Sequence, residues 1–342
     1  MTDHMNINRR TLLKTAPALA AAGIASLYTL PSTAGATVLR YGGNMPDSHP
    51  IIIRMREAAE RIRKESNGEV DLQIYPQSQL GSDSDMLSQV RAGALDFMTL
   101  SSVILSSLVP LAAIVGVGFA WDNTEKVLGA LDGELGARIR EDISKAGLYV
   151  HETIWDAGGF RQITSSTRAI HTPEDLKGFK IRVPPGPLWI SLFQAFGAGP
   201  ATLNFAELYS ALQTKVFDGQ ENPLLIIETN KLFEVQKYIS LTNHMWDGAW
   251  FIGNAKLWAA YPPEVRALVS KHVRQSAIES RKDTIAATLR LQEIYPRRMS
   301  LNTVDAAPFR QKLHDTGFYR IWRGKFGDAA WQQLEKSAGT LA

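Results

Sequence analysis

The chain has 342 residues, 45% of them hydrophobic and 21% charged, with a net charge of +3 and no cysteine. The missing cysteines exclude disulfides, thiol nucleophiles and cysteine-ligated metals, so packing alone must hold the fold. The charge gives no case for nucleic acid: residues 1–36 carry Arg9, Arg10 and Lys14 against Asp3, and without them the chain is near +1 and has no basic block.

The first segment reads as a targeting signal. Asn8-Arg9-Arg10-Thr11-Leu12-Leu13-Lys14 is a twin-arginine run, and the apolar stretch Ala16 to Leu30 is too short to span a bilayer. Ala34-Gly35-Ala36 then supplies a small-x-small cleavage pattern. The expectation is a signal over residues 1–36, cleaved near Ala36, and a soluble product in the periplasm. The remaining residues, about 306, exceed what one core usually supports, which predicts two domains.

The mature chain opens as β-α-β. Val38 to Gly42 reads as a strand, Pro50 to Glu65 as a helix, and Glu69 to Tyr75 alternates polar and apolar at period two. Gly81-Ser82-Asp83 caps a helix from about Ser84, and Ala94 to Leu100 is another strand. Such alternation predicts a largely parallel sheet. Thr124 to Ala146 reads as helical, Leu148 to Ile154 as a strand, and Gly158-Gly159 as a break before the strand Phe160 to Thr164. The short run Ile181-Arg182-Val183 is a strand cut off by Pro184-Pro185. Leu188 to Phe196 and Phe205 to Thr214 are helical, and Asp218 to Pro223 is a turn. A long helix, Pro262 to Tyr295, is expected to lie along both domains, followed by a helical pair from Pro308 to Ser337.

Arg182 is the leading candidate for chemistry. A guanidinium at a strand's carboxyl end, in the crevice of an open α/β sheet, offers a planar fork that matches a carboxylate. Arg161, after the glycine break, has a similar position. Asn222 precedes proline, which favours extended backbone, and its amide can donate to a carboxylate or accept from a hydroxyl. Trp155, Phe160, Trp189, Phe205, Trp246 and Trp250 fall near strand ends or crossings. Any one of them alone is more often core than ligand contact, and at least two of the six are expected to line a cleft. Asp247 is a candidate hydroxyl acceptor or a hinge brace. The histidines are scattered without metal-ligand spacing, and there is no nucleophile elbow, phosphate loop or dinucleotide fingerprint. No enzyme activity, cofactor or metal is expected.

Several blocks in order carry a resemblance: Tyr75-Pro76-Gln77-Ser78-Gln79-Leu80-Gly81, Gly93-Ala94-Leu95-Asp96-Phe97, Lys177 to Pro184, Glu207 to Gln213, Asp218 to Pro223, Glu234 to Tyr238 and Leu241 to His244. Over residues 38–340 the chain resembles the solute-binding subunits of tripartite ATP-independent periplasmic (TRAP) transporters, the DctP-like family. The resemblance implies an α/β fold of two lobes with hinge strands, a long helix across both, and ligand in the cleft. It implies that Arg182 pairs with a ligand carboxylate and that Asn222, Arg161 and Phe205 line the same site. It also implies membrane permease subunits as partners. Lobe I is expected over 37–158 plus about 248–287, and lobe II over 159–247 plus about 288–342, in a monomer. Members that bind sialic acid carry an acid after the G-A-L-D-F strand, whereas this chain reads Met98-Thr99-Leu100-Ser101-Ser102. The tryptophans at 155, 246 and 250 point instead to an aromatic acid or a sugar acid. A ligand-sensing subunit of a signalling system is the alternative, and an exported hydrolase or isomerase on the same scaffold is the remote one.

Overall fold

The computed structural model describes residues 36–341, so the export-signal reading lies outside the described residues except for Ala36. Strands β1 (Thr37–Gly42), β2 (Val70–Tyr75) and β3 (Phe97–Ser101) pair in parallel, with β1 in the middle. The helix Pro50–Glu65 connects the first two. Pro50 supplies its first position, the His49 ring nitrogen Nδ1 accepts the Ile51 N–H (3.2 Å), and Arg63 and Lys64 occupy its last turn. A second helix, Asp83–Ala92, opens on a reciprocal cap between Ser82 and Asp85 and stops at Gly93, φ 75°. That cap fixes Asp83 as the first helical residue, beside Asn44 just past the end of β1.

The rest of the sheet is built around two long strands. In chain order come β4 (Leu148–Val150), β5 (Trp155–Ser165), β6 (Lys180–Val183), β7 (Gly199–Thr202), β8 (Gly219–Pro223), β9 (Tyr238–Asn254) and β10 (Ser300–Thr303). The order across the sheet is β2-β1-β3-β9-β5-β8-β6-β7, with β4 and β10 also on β9. β5 and β9 run antiparallel. One end of β9 pairs with β3 and β4, the other with β10, while β5 carries β8 on its far edge. Two groups of strands therefore share one antiparallel pair, the arrangement of a two-lobe binding fold.

That pair is interrupted once. Its register jumps between Asp156 and Phe160, where Gly158 (φ 144°) and Gly159 (φ 79°) occupy backbone conformations that residues with a Cβ rarely adopt. Asp156 Oδ1 accepts both glycine N–H groups, at 2.9 and 2.6 Å, which stabilises the bulge. The helix Pro263–Ile294 crosses behind it. Its 32 residues span roughly 48 Å. Arg281 Nε donates to Ile154 O (2.9 Å) and Thr284 Oγ1 to Asp156 O (3.3 Å). Val265, Val269, Val273 and Ala277 pack into the core beneath β1 and β2, and Leu291 packs with Leu208, Leu212 and Ile227 on the other side. No described helix is long and apolar enough to cross a membrane.

The sheet is mixed rather than largely parallel, because β9 runs antiparallel to β3, β4 and β5, and β5 to β8. The elements differ from the sequence expectation in other places too. Asp218 to Pro223 is not a turn, because Gly219–Pro223 is a fully buried strand between β5 and β6. Gly-Gln-Glu-Asn-Pro has no β-branched residue, and what makes it a strand is close approach: a Cβ on Gly219 would lie 2.0 Å from Thr164 O. The break at Gly158-Gly159 is a bulge inside β5 rather than its start. Thr124 to Ala146 is two helices, Thr124–Asp132 and Glu134–Lys145, parted at Gly133. The helical pair expected over Pro308 to Ser337 is three helices, Ala306–Asp315, Phe318–Phe326 and Asp328–Ala338. Because the Thr164 carbonyl cannot move without breaking the β5–β8 ladder, Gly219→Ala is expected to cost about 2 kcal/mol or more. Urea unfolding measures it, and a change under about 0.5 kcal/mol would refute this account of β8.

Candidate functional site

A small pocket lies where β5, β6, β8 and β9 face the ends of β1 and β3. Its charged wall residues are Asp83, Arg161, Arg182 and Asp247, and all four are almost completely buried. Burying charge is costly unless each group finds a partner, so the pairing of these four determines what the cavity can hold.

Arg161, on β5, is paired through two of its three nitrogens. Its Nε donates to Glu221 Oε2 (2.5 Å) and its Nη2 to Glu221 Oε1 (2.7 Å) and to Asn222 Oδ1 (3.0 Å). The guanidinium stands 5.0 Å over the Trp189 ring. Burial alone would raise the Glu221 carboxyl, but Arg161 and the hydrogen bond from His244 outweigh it and hold Glu221 below the usual range. His244 is itself lowered, chiefly by burial, with Glu221 opposing. The neutral ring therefore donates from Nε2 to Glu221 (3.1 Å) and accepts from Thr242 at Nδ1 (2.8 Å). Arg161, Glu221 and His244 thus tie β5, β8 and β9 together.

Arg182, third residue of β6, is different. Its Nε and Nη2 both donate to Leu203 O, at 2.8 and 2.5 Å, which holds the guanidinium rigidly. Its Nη1 is buried with no partner, and no carboxylate of the described residues comes within ion-pairing distance. Burial pushes the guanidinium down, to about 9, so it is still cationic at neutral pH. Phe205 places its ring 5.9 Å from the guanidinium carbon.

The two acids also depart from their ordinary values. Asp83 accepts from Asn44 Nδ2 at Oδ2 (3.0 Å), but its Oδ1 has no partner, and burial raises the carboxyl to about 6. Asp247 accepts from Ser101 Oγ (2.6 Å) and sits 3.9 Å from Arg161 Nη1; burial raises it too, to about 6. Asn222 donates to Gln220 Oε1 (2.5 Å), in a chain that continues through Thr164 to Gln236.

Of the sequence candidates, the structure brings Arg182, Arg161, Asn222, Phe205 and Asp247 to one wall. It does not bring Trp155, Trp246 or Trp250 there, which corrects the expectation that they select the ligand. Side chains alternate along a strand. On β9, Asp247 and Ala249 face the cavity, so Trp246 and Trp250 turn to the opposite face and fill the larger core, while Trp155 lies in the core beneath β1 and β2. The aromatics on the wall are Trp189 and Phe205, each facing an arginine. Sequence reasoning missed Asp83, which looked like helix-cap chemistry, and Asn44. The Asp83–Asn44 contact joins residues far apart in sequence and has no local signature.

An acid whose neutral form is favoured by the fold destabilises the fold once ionised. The cost is absent below the unfolded value near 3.8 and complete above about 6. Asp247→Asn is therefore expected to raise Tm at pH 7.5, by up to about 3 kcal/mol of stability, with no gain at pH 4. A gain that is the same at both pH values would contradict this.

A pocket with four buried charged residues, set between two strand groups that share one antiparallel pair, fits a solute-binding protein. Residues 41–315 match the family described as bacterial extracellular solute-binding protein, family 7 (DctP), and the chain belongs to this family, the solute-binding proteins of TRAP transporters. It is 38% identical over 251 residues to protein y4mM of Sinorhizobium fredii, covering 73% of this chain and 46% of that one. It is 34% identical over 254 residues to the 2,3-diketo-L-gulonate-binding periplasmic protein YiaO of Escherichia coli, covering 74% and 76%. Among solved structures it is similar to the sugar acid binding protein DctPAm of Advenella mimigardefordensis in complex with galactonate. The TM-score is 0.84 and the identity 25%, over 90% of this chain and 99% of that one.

Proposed function

We propose that this protein is an extracytoplasmic receptor that captures a small organic acid and delivers it to the membrane permease subunits of a TRAP transporter. The observation that carries the reading is the unpartnered Nη1 of Arg182, a rigid buried cation on the wall of the pocket. An incoming carboxylate would restore the missing ion pair, and Asn222 and Phe205 would complete its surroundings. Arg161, held by Glu221, would shape that site more than neutralise the ligand. The amides of Asn44 and Asn222, the hydroxyls of Thr99 and Ser101 and the carboxylates of Asp83 and Asp247 on the wall favour a sugar acid over an aromatic acid. The names of two relatives, which bind 2,3-diketo-L-gulonate and galactonate, support the same class.

In this reading the protein is exported, its signal is cleaved near Ala36, and it works in the periplasm as a monomer without cofactor or catalysis. The lobes are residues 37–158 plus about 248–287 and 159–247 plus about 288–342. The chain crosses between them in β5 and β9. Ligand would favour the closed arrangement only as far as it binds closed better than open.

A thermal-shift screen of small carboxylates against the purified protein tests this. Ligand at 100 times Kd adds about 2.7 kcal/mol, which reads as a rise of several degrees. Arg182→Lys keeps a charge but loses the fork, and is expected to weaken binding at least about tenfold, or about 1.4 kcal/mol. Stabilisation by neutral sugars and by no acid, or unchanged affinity in the lysine variant, would exclude the proposed anchor.

A further inference from the structure

The cavity wall has two unpartnered polar atoms of opposite character: the donor Nη1 of Arg182 and the acceptor Oδ1 of Asp83. Each lies in a side chain at least nine-tenths buried, and each is costly to leave unmatched. Resting on the carboxylate-receptor reading above, we infer that Asp83 determines specificity. It accepts a hydrogen bond from a hydroxyl on the ligand and rejects a second carboxylate, so the site selects hydroxy-monocarboxylates over dicarboxylates of the same length.

The argument is one of charge and lone pairs. An ionised carboxylate only accepts, so two carboxylates can approach each other closely only if one takes a proton. The wall can offer a second anionic group no further cation. Arg161 is bound by both oxygens of Glu221, and Asp247 sits 3.9 Å from its remaining nitrogen. Arg161 therefore already faces two protein carboxylates, whereas Arg182 has none within ion-pairing distance and suffices for one ligand carboxylate. The rest of the wall's polar groups are Asp83 and Asp247, the amides of Asn44 and Asn222, and the hydroxyls of Thr99 and Ser101. Asn44 Nδ2 donates to Asp83, and Ser101 Oγ donates to Asp247. These donors therefore point at protein carboxylates, which leaves spare acceptor capacity directed at the ligand. A hydroxyl matches that pattern, and an anionic oxygen does not. Asp83 can serve in this way because the cap at Ser82 and Asp85 fixes its backbone and Asn44 fixes its carboxyl plane.

The test is isothermal titration of the purified protein with matched pairs of equal carbon number: erythronate against tartrate, gluconate against glucarate, and galactonate against galactarate. In every pair with measurable binding, the monocarboxylate is expected to bind at least about tenfold more tightly. In Asp83→Asn, which keeps the shape but removes the charge, the ratio is expected to fall to within about threefold. A simple loss of structure would weaken both members of a pair and leave their ratio in place. Dicarboxylates binding as tightly as their partners in the unmodified protein would overturn the inference even if the variant failed to fold. A ratio unmoved by Asp83→Asn would also overturn it, while leaving the carboxylate-receptor reading intact. If no acid of any pair binds while neutral solutes do, both fall together.

Discussion

The buried pair of Arg161 and Glu221 is the interaction on which the rest of the site depends. It joins β5 to β8, and through His244 it reaches β9, so three strands from distant parts of the chain are held in register by one hydrogen-bonded ionic group. Both side chains are almost fully excluded from water. Removing either partner would strand a charge in the interior, a far larger effect than the pair's own net contribution. Its geometry meets that demand, because Glu221 is bound through both oxygens and also by an imidazole.

This pairing gives the two arginines of the cavity different characters. Arg161 is neutralised by Glu221, bonded to the Asn222 amide and stacked on the face of Trp189. Arg182 is held as firmly, but by a backbone carbonyl, which orients it without neutralising it. A neutral acceptor in that place preserves the full charge for an incoming group. The same logic runs in reverse for Asp83, oriented by an amide and likewise left without a counter-ion. Rigid orientation by neutral groups is what prepares such a site in advance of its ligand.

Much of this was legible in the chain itself. Period-two alternation marked β2, the Ser82–Asp85 pattern marked a helix start, and paired prolines marked the beginning of the long helix. The Ile-Arg-Val-Pro run placed Arg182 at a strand end, where it is found. What was not legible depends on contacts between distant residues. β8 is a strand because Gly219 lets β5 approach, and nothing within Gly-Gln-Glu-Asn-Pro reports that. The three misplaced tryptophans were a question of parity: on β9 one residue decides between cavity and core, and only the register with β3 and β5 sets it. Asp83 was hidden because its local role, opening a helix, already explained its presence.

The long strand β9 also shapes how this chain comes to be folded. β3 is flanked by β1 on one side and by residues 249–253 on the other, and β5 receives its inner neighbour only when 238–249 are present. A nascent chain that has produced β1 through β8 therefore holds two incomplete sheets with open edges and no strand to unite them. Neither half can finish on its own during synthesis, and both are completed by a single late segment. That makes assembly a slow, long-range event. It also leaves unpaired edges exposed in the meantime, the condition under which chains associate with one another instead of with themselves.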